Sequence, residues 1–77
     1  SLSGERPPRD IPDEKELDQF AEAYEALGRL QRRGASEGRQ IGAIEETGLT
    51  LARYNRIAEL TEVYQSIENE VAERLGR

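Results

Sequence analysis

The residues of this 77-residue chain best equipped for chemistry are its sixteen carboxylates, which are dense in three places. These places are Asp13-Glu14-x-Glu16, Glu45-Glu46, and Glu68 with Glu70 and Glu73. Clustered acids bind divalent metals, but a calcium loop alternates oxygen ligands around a glycine, and a di-metal helical bundle uses Glu-x-x-His. Neither pattern is present. The sequence therefore predicts solvated helix faces here and no metal site.

Few residue types suited to catalysis are present, because the chain contains no Cys and no His. Thiolate chemistry, imidazole general-base catalysis and the usual zinc sites are thereby excluded. Residues 34–42, "GASEGRQIG", have the glycines of a phosphate-binding loop but lack its preceding strand and its Lys-Ser/Thr pair. We therefore predict no catalytic residue, no cofactor and no small-molecule substrate, and expect that the protein is not an enzyme.

DNA recognition is the other chemistry that the spacing allows, in residues 45–60, "EETGLTLARYNRIAEL". Gly48 stands where a helix–turn–helix has its turn glycine, and Thr50 can cap the second helix. Arg53 and Arg56 would then point outward from that helix, where Arg binds guanine or phosphate. The run is therefore either a helix–turn–helix that reads DNA or a packing corner without chemistry.

Charge and residue size oppose the DNA interpretation. Ile44 stands four residues before Gly48, where the two helices approach closely and Ala or Gly is usual. Residues 39–60 contain three Arg and three Glu, and the net charge of −5 opposes affinity for phosphates and for anionic membranes. No apolar run approaches the ~18 residues that a membrane span needs. A packing corner is preferred, and DNA binding through Arg53 and Arg56 is the alternative.

Apolar spacing predicts the helices that position these residues. The first should begin near Asp13, beside Pro12, and end at Gly34. Its apolar side chains recur at three- and four-residue steps and form one stripe. They are Leu17, Phe20, Ala21, Tyr24 and Leu27.

The second helix is expected to be short. Ser36 is its N-cap, Ile41 and Ile44 are its apolar pair, and Gly48 is a C-terminal stop. Gly42 in its interior lowers helix propensity by up to about 1 kcal/mol relative to Ala. Packing against the rest of the domain must therefore hold this helix.

The third helix is expected to start at the Thr50 cap and to end before Gly76. Its apolar stripe comprises Tyr54, Ile57, Leu60, Tyr64, Ile67, Val71 and Leu75. No Gly or Pro interrupts residues 51–75, which predicts one long helix or two nearly collinear ones.

These elements predict an all-α fold with one domain at residues 13–75. It is a helical hairpin of two long amphipathic helices with a short connecting helix, three helices in all or four if the last divides. Residues 1–12, "SLSGERPPRDIP", hold all three prolines and few apolar side chains. We predict that they are a disordered leader.

Short motifs in both halves of the chain carry a family resemblance. They are Phe20-Ala21-x-Ala23-Tyr24, Gly48-Leu49-Thr50 and Tyr54-Asn55-x-Ile57, followed by the apolar Ile67, Val71 and Leu75. In this order they resemble the bacterial domain-of-unknown-function family 4168 over about residues 13–75. The segment between the first two motifs is shorter here, and the helical pattern continues at Tyr64-Gln65, where that family often has an Asp-Pro break. The resemblance implies an all-helical domain, commonly exported across the inner membrane, with no assigned activity.

Four side chains of the third helix are the remaining candidates for function. Leu51 and Val63 lie off the stripe, and Tyr54 and Asn55 can line a surface that receives a partner. We therefore predict a non-enzymatic structural or protein-interaction module that recognises an unknown protein partner or self-associates. The resemblance alone implies a periplasmic or cell-envelope location, to which a cytoplasmic location is the alternative.

Overall fold

The computed structural model describes residues 10–76, which form four α-helices and no β-strand. In chain order these are α1 (Glu14–Arg32), α2 (Glu37–Glu46), α3 (Leu51–Val63) and α4 (Gln65–Arg74). The all-α prediction is therefore confirmed, with the last predicted helix divided in two. None of the helices in this part of the chain is both long enough and apolar enough to cross a membrane.

Side-chain caps begin the first three helices at the residues that the sequence predicts. The side chains of Asp13, Ser36 and Thr50 each accept a hydrogen bond from the backbone N–H three residues later. Glu16 also accepts the N–H of Asp13, which completes a capping box at the start of α1. Each cap satisfies an amide that the helix itself leaves unpaired, and such caps typically contribute about 1 kcal/mol.

Glycines in the left-handed region end α1 and α2, as predicted. Gly34 has a φ of 72° and Gly48 a φ of 102°. Beyond α1, the N–H of Ala35 donates to the carbonyl of Leu30 at 2.9 Å, as in a Schellman motif. Because α2 begins only a few residues after this turn, it packs back against α1.

The last predicted helix is interrupted at Tyr64, which has an extended backbone with φ −115° and ψ 111°. Its N–H donates to the carbonyl of Leu60 at 2.8 Å, and its own carbonyl accepts the N–H of Ile67 at 3.1 Å. One residue therefore ends α3 and begins α4. Of the two arrangements predicted for residues 51–75, the structure has the divided one. The structure thus has one long helix, α1, packed with three shorter ones.

The core collects apolar side chains from all four helices and from the loop before α3. They are Leu17, Phe20 and Ala23 of α1, Ile44 of α2, Leu49 of the loop, Ile57 and Leu60 of α3, and Ile67 and Val71 of α4. Helix α4 contacts α1 as well as α3. Burial of Ile67 and Val71 in the shared core therefore accounts for a break that no Gly or Pro marks.

The predicted leader is described only in its last three residues. Residues 1–9 lie outside the described part of the chain, so their disorder stays a prediction. Pro12 is buried, Ile11 is exposed, and the carboxylate of Asp10 accepts hydrogen bonds from Arg56 of α3. Asp10 and Pro12, at the end of the predicted leader, therefore contact the helical domain.

Candidate functional site

Three of the four residues predicted to form a partner surface line one groove. This groove, of about 300 Å³ between α1, α2 and α3, is lined by Leu27, Glu37, Gln40, Ile41, Ile44, Leu51, Tyr54 and Asn55. We call it the Tyr54 groove. Val63 is not among its lining residues: it is the last residue of α3 and is 71% exposed. The structure therefore brings Leu51, Tyr54 and Asn55 together and places Val63 apart from them.

The Tyr54 groove has apolar walls and a polar rim. Ile44 is buried in the core, and Leu27 and Leu51 are partly buried against it. Asn55 and Glu37 are exposed. An apolar centre with a polar rim is the common build of a protein-recognition surface. The groove can therefore take up an apolar side chain of a partner, and the Asn55 amide can hydrogen-bond the backbone beside it.

Tyr54 is held in place by the core. Its ring stacks on Phe20, with the ring centroids 4.7 Å apart and an angle of 24° between the planes. Burial raises the pKa of the Tyr54 hydroxyl. The hydroxyl therefore stays protonated at neutral pH and offers a hydrogen bond without a charge. Tyr54 forms a fixed wall of the groove.

A second cavity, of about 230 Å³, lies where α1, α3 and α4 meet. Its lining comprises Phe20, Tyr24, Tyr54, Ala58, Thr61, Glu62, Glu68, Val71 and Leu75. Tyr54 thus lines both this cavity and the Tyr54 groove. Sequence reasoning did not find the cavity, because its shape depends on the turn of the chain at Tyr64.

The two arginines that could read DNA are bound to carboxylates of the same chain. Arg53 forms a two-pronged ion pair with Glu16, in which Nε lies 2.8 Å from Oε2 and Nη2 lies 2.9 Å from Oε1. Arg56 pairs in the same way with Asp10, its Nε and Nη2 donating to the two carboxylate oxygens. The sequence did not reveal these pairs, because their members are 37 and 46 residues apart.

The ion pairs lower the pKa values of the Glu16 and Asp10 carboxyl groups. Hydrogen bonds from Arg53 hold the pKa of Glu16 below its usual value near 4.5, and hydrogen bonds from Arg56 likewise lower the pKa of Asp10. The folded state therefore favours the ionised carboxylate of Glu16. This pair stabilises the fold above the unfolded pKa of Glu16, and its contribution is lost as the pH falls through the lower folded pKa.

The substitution Glu16→Gln tests this linkage. Gln can still accept the Asp13 N–H in the capping box, so the substitution removes mainly the ion pair. We expect a lower thermal midpoint than wild type at pH 7, and a difference that disappears as the pH is lowered from about 4.5 to 2. Thermal unfolding followed by circular dichroism between pH 7 and pH 2 measures it.

The matched control for this experiment is Glu22→Gln. Glu22 is exposed on α1 and forms no ion pair within residues 10–76. Its substitution should leave the dependence of the thermal midpoint on pH close to that of wild type. Parallel pH profiles for wild type and Glu16→Gln would contradict a stabilising role for the Arg53 pair.

The dense acidic sets serve the fold in part. In α4, Nη1 of Arg74 lies 2.9 Å from Oε1 of Glu70. Its Nε lies 2.7 Å from Oδ1 of Asp18, and this ion pair joins α4 to α1. Between residues 10 and 76, no group of three or more acidic side chains is placed to hold a metal ion.

Three further arginines converge on a site that sequence reasoning missed. A groove of about 570 Å³ between α1 and α2 is lined by Ala26, Arg29, Leu30, Arg33, Arg39, Gly42, Ala43 and Glu46. We call it the arginine groove. The four-residue spacing of Arg29 and Arg33 places them on one helix face. That signal was available in the sequence, but their meeting with Arg39 depends on the turn at Gly34.

No protein-family model, no curated protein and no solved structure matches this chain.

Proposed function

We propose that this chain is a non-enzymatic structural or protein-interaction module of an exported or envelope protein of a bacterium. The Tyr54 groove is the surface that receives its partner, which is another protein or a second copy of the chain. The resemblance to family 4168 supports this proposal. The interruption at Tyr64 adds support, because that family often has an Asp-Pro break at the same position.

The observation that carries the proposal is the make-up of the Tyr54 groove. Leu27 and Leu51 are only partly buried there, so folding alone leaves apolar surface in contact with water. Covering that surface with an apolar side chain of a partner is favourable, at about 25 cal/mol for each Å² removed from water. The Tyr54 ring already stacks on Phe20, so binding of a partner immobilises few further side chains and costs little conformational entropy.

DNA binding through Arg53 and Arg56 has less support. Phosphates would have to displace Glu16 from Arg53 and Asp10 from Arg56. Two-pronged arginine–carboxylate pairs are among the stronger hydrogen-bonded contacts in proteins, and the displaced carboxylates would then lie beside the phosphates. The net charge of −5 adds a general repulsion.

Site-specific photo-cross-linking in the cells that make the protein tests the proposal. A photoreactive amino acid replaces Asn55, whose exposed side chain lies at the rim of the Tyr54 groove. We expect one discrete cross-linked product, recovered in the periplasmic or envelope fraction, because a partner seated in the groove lies within reach of this position. The mass of the product distinguishes a second copy of the chain from a different protein.

The control carries the same photoreactive group at Glu22, which is exposed on α1 and lines neither groove. This position should give no discrete product. Equal products from both positions, or none from position 55, would contradict a partner in the Tyr54 groove. Recovery of the product only in the cytoplasm would contradict the exported location and leave the binding surface standing.

A further inference from the structure

The arginine groove is open to solvent between two helices. It runs between the second half of α1 and one face of α2, and it has a volume of about 570 Å³. Arg29 and Arg33 project from the α1 side and Arg39 from the α2 side. The groove therefore presents positive charge from both of its walls.

Glu46 also lines this groove, but within residues 10–76 its three arginines form no ion pair. Arg53, Arg56 and Arg74, in α3 and α4, are each bound by at least one carboxylate. By contrast, no carboxylate among the described residues pairs with Arg29, Arg33 or Arg39. The difference is not due to a shortage of acids, since the chain has sixteen Asp and Glu against eleven Lys and Arg.

Helix dipoles account for only part of this cluster. Arg29 and Arg33 lie at the C-terminal end of α1, where a positive charge is favourable. Arg39 is the third residue of α2, and a positive charge near the N-terminus of a helix is unfavourable. The helix dipole therefore does not account for the position of Arg39.

The floor of the groove is open at Gly42. This glycine lies inside α2, where Gly is less favourable than Ala by up to about 1 kcal/mol. A Cβ built at Gly42 would meet no atom within 4 Å, so packing within the domain does not require a glycine there. An open floor does allow the backbone of a bound segment to approach α2 closely.

We propose that the arginine groove binds a short acidic segment of a partner protein. Its three guanidinium groups suit carboxylates, which Arg binds with two parallel hydrogen bonds. None of the eight lining residues is aromatic, so the groove lacks the stacking surfaces by which proteins hold single-stranded nucleic acids. Glu46 in the lining and the net charge of −5 repel a long polyanion or an anionic membrane more strongly than a short acidic segment that reaches only the three arginines. This site is separate from the Tyr54 groove, so either proposal can fail alone.

A nuclear magnetic resonance titration of the isotope-labelled full chain with a hexaglutamate peptide tests the proposal. We expect shifts of the backbone amides around Arg33, Arg39 and Gly42, because the peptide lies between them, and weaker binding as salt is added. The double substitution Arg33→Gln/Arg39→Gln should weaken binding about tenfold through the loss of two charge-assisted contacts. The matched control, Lys15→Gln/Arg32→Gln, changes the net charge equally and should bind within about twofold of the unsubstituted chain.

A second variant separates a shaped groove from diffuse attraction. Gly42→Leu keeps every charge and fills the space above α2 with a side chain. Leu is a better helix former than Gly, so the variant should stay folded. Its affinity for the peptide should fall about tenfold, because the side chain blocks the groove. Three results would each overturn the proposal: no binding at millimolar peptide, equal losses in the two double variants, or unchanged binding by Gly42→Leu. Tighter binding of a single-stranded oligonucleotide than of the peptide would also overturn it, in favour of nucleic acid.

Discussion

The substitution Ile57→Ala should lower the free energy of unfolding by about 2–5 kcal/mol. Ile57 is fully buried in the middle of α3, within a core to which all four helices contribute. Removing its outer carbons loses their transfer free energy and leaves a cavity that the helices around it fill only in part. Domains of this size have a small free energy of unfolding, so a large fraction of the Ile57→Ala molecules should be unfolded at 37 °C. Urea denaturation followed by circular dichroism measures the change.

Val63→Ala is the matched control for this prediction. Val63 lies on the same helix and is also β-branched, but it is 71% exposed. Its truncation should change the free energy of unfolding by no more than about 0.5 kcal/mol. A cost below about 1 kcal/mol for Ile57→Ala, or similar costs for both variants, would show that Ile57 is not in the centre of the core.

The second large effect is expected at the corner between α2 and α3. Gly48 has a φ of 102°, which residues with a Cβ rarely adopt. A Cβ at this position would also lie 2.6 Å from Nε2 of Gln19. The Gln19 amide can swing away, so the backbone strain is the lasting penalty. We expect Gly48→Ala to lower the free energy of unfolding by about 1–3 kcal/mol, measured by urea denaturation.

Gly42→Ala, inside α2, should change the stability in the opposite direction. Its Cβ would meet nothing within 4 Å, and its backbone φ is not in the positive range. Ala should therefore raise the free energy of unfolding by up to about 1 kcal/mol, through higher helix propensity and a less flexible unfolded chain. If Gly48→Ala and Gly42→Ala changed stability in the same direction, the assignment of Gly48 as the helix stop would be wrong.

The helix ends could be predicted from the sequence because they depend on local interactions. Asp13, Ser36 and Thr50 cap amides only three residues away, and Gly34 and Gly48 supply a backbone conformation that few other residues adopt. A pattern of nearby residues is enough to reveal such features.

The break at Tyr64 could not be predicted in the same way. The apolar spacing continues through Tyr64, Ile67 and Val71 without a Gly or Pro, and that spacing is the same for one helix or for two. What divides the helix is the burial of Ile67 and Val71 against a core that other parts of the chain build. Such tertiary effects commonly override a local helical pattern.

The candidate sites also differ in whether nearby residues of the sequence reveal them. Leu51, Tyr54 and Asn55 are close in sequence, so their common surface was visible in the helical spacing. The partners of Arg53 and Arg56 lie 37 and 46 residues away, and no local rule links them. The arginine groove was missed for the same reason, since its two walls belong to different helices.

The junction at Tyr64 also gives the domain parts of unequal resistance to local unfolding. α4 begins without a side-chain cap and is held by Ile67, Val71 and the ion pair of Arg74 with Asp18. Detaching α4 leaves the contacts between α1 and α2 in place, so it requires less free energy than unfolding the whole domain. We therefore expect the backbone amides of α4 to exchange with solvent faster than those of α1, and each opening of α4 removes the wall that Val71 contributes to the cavity lined by Tyr54.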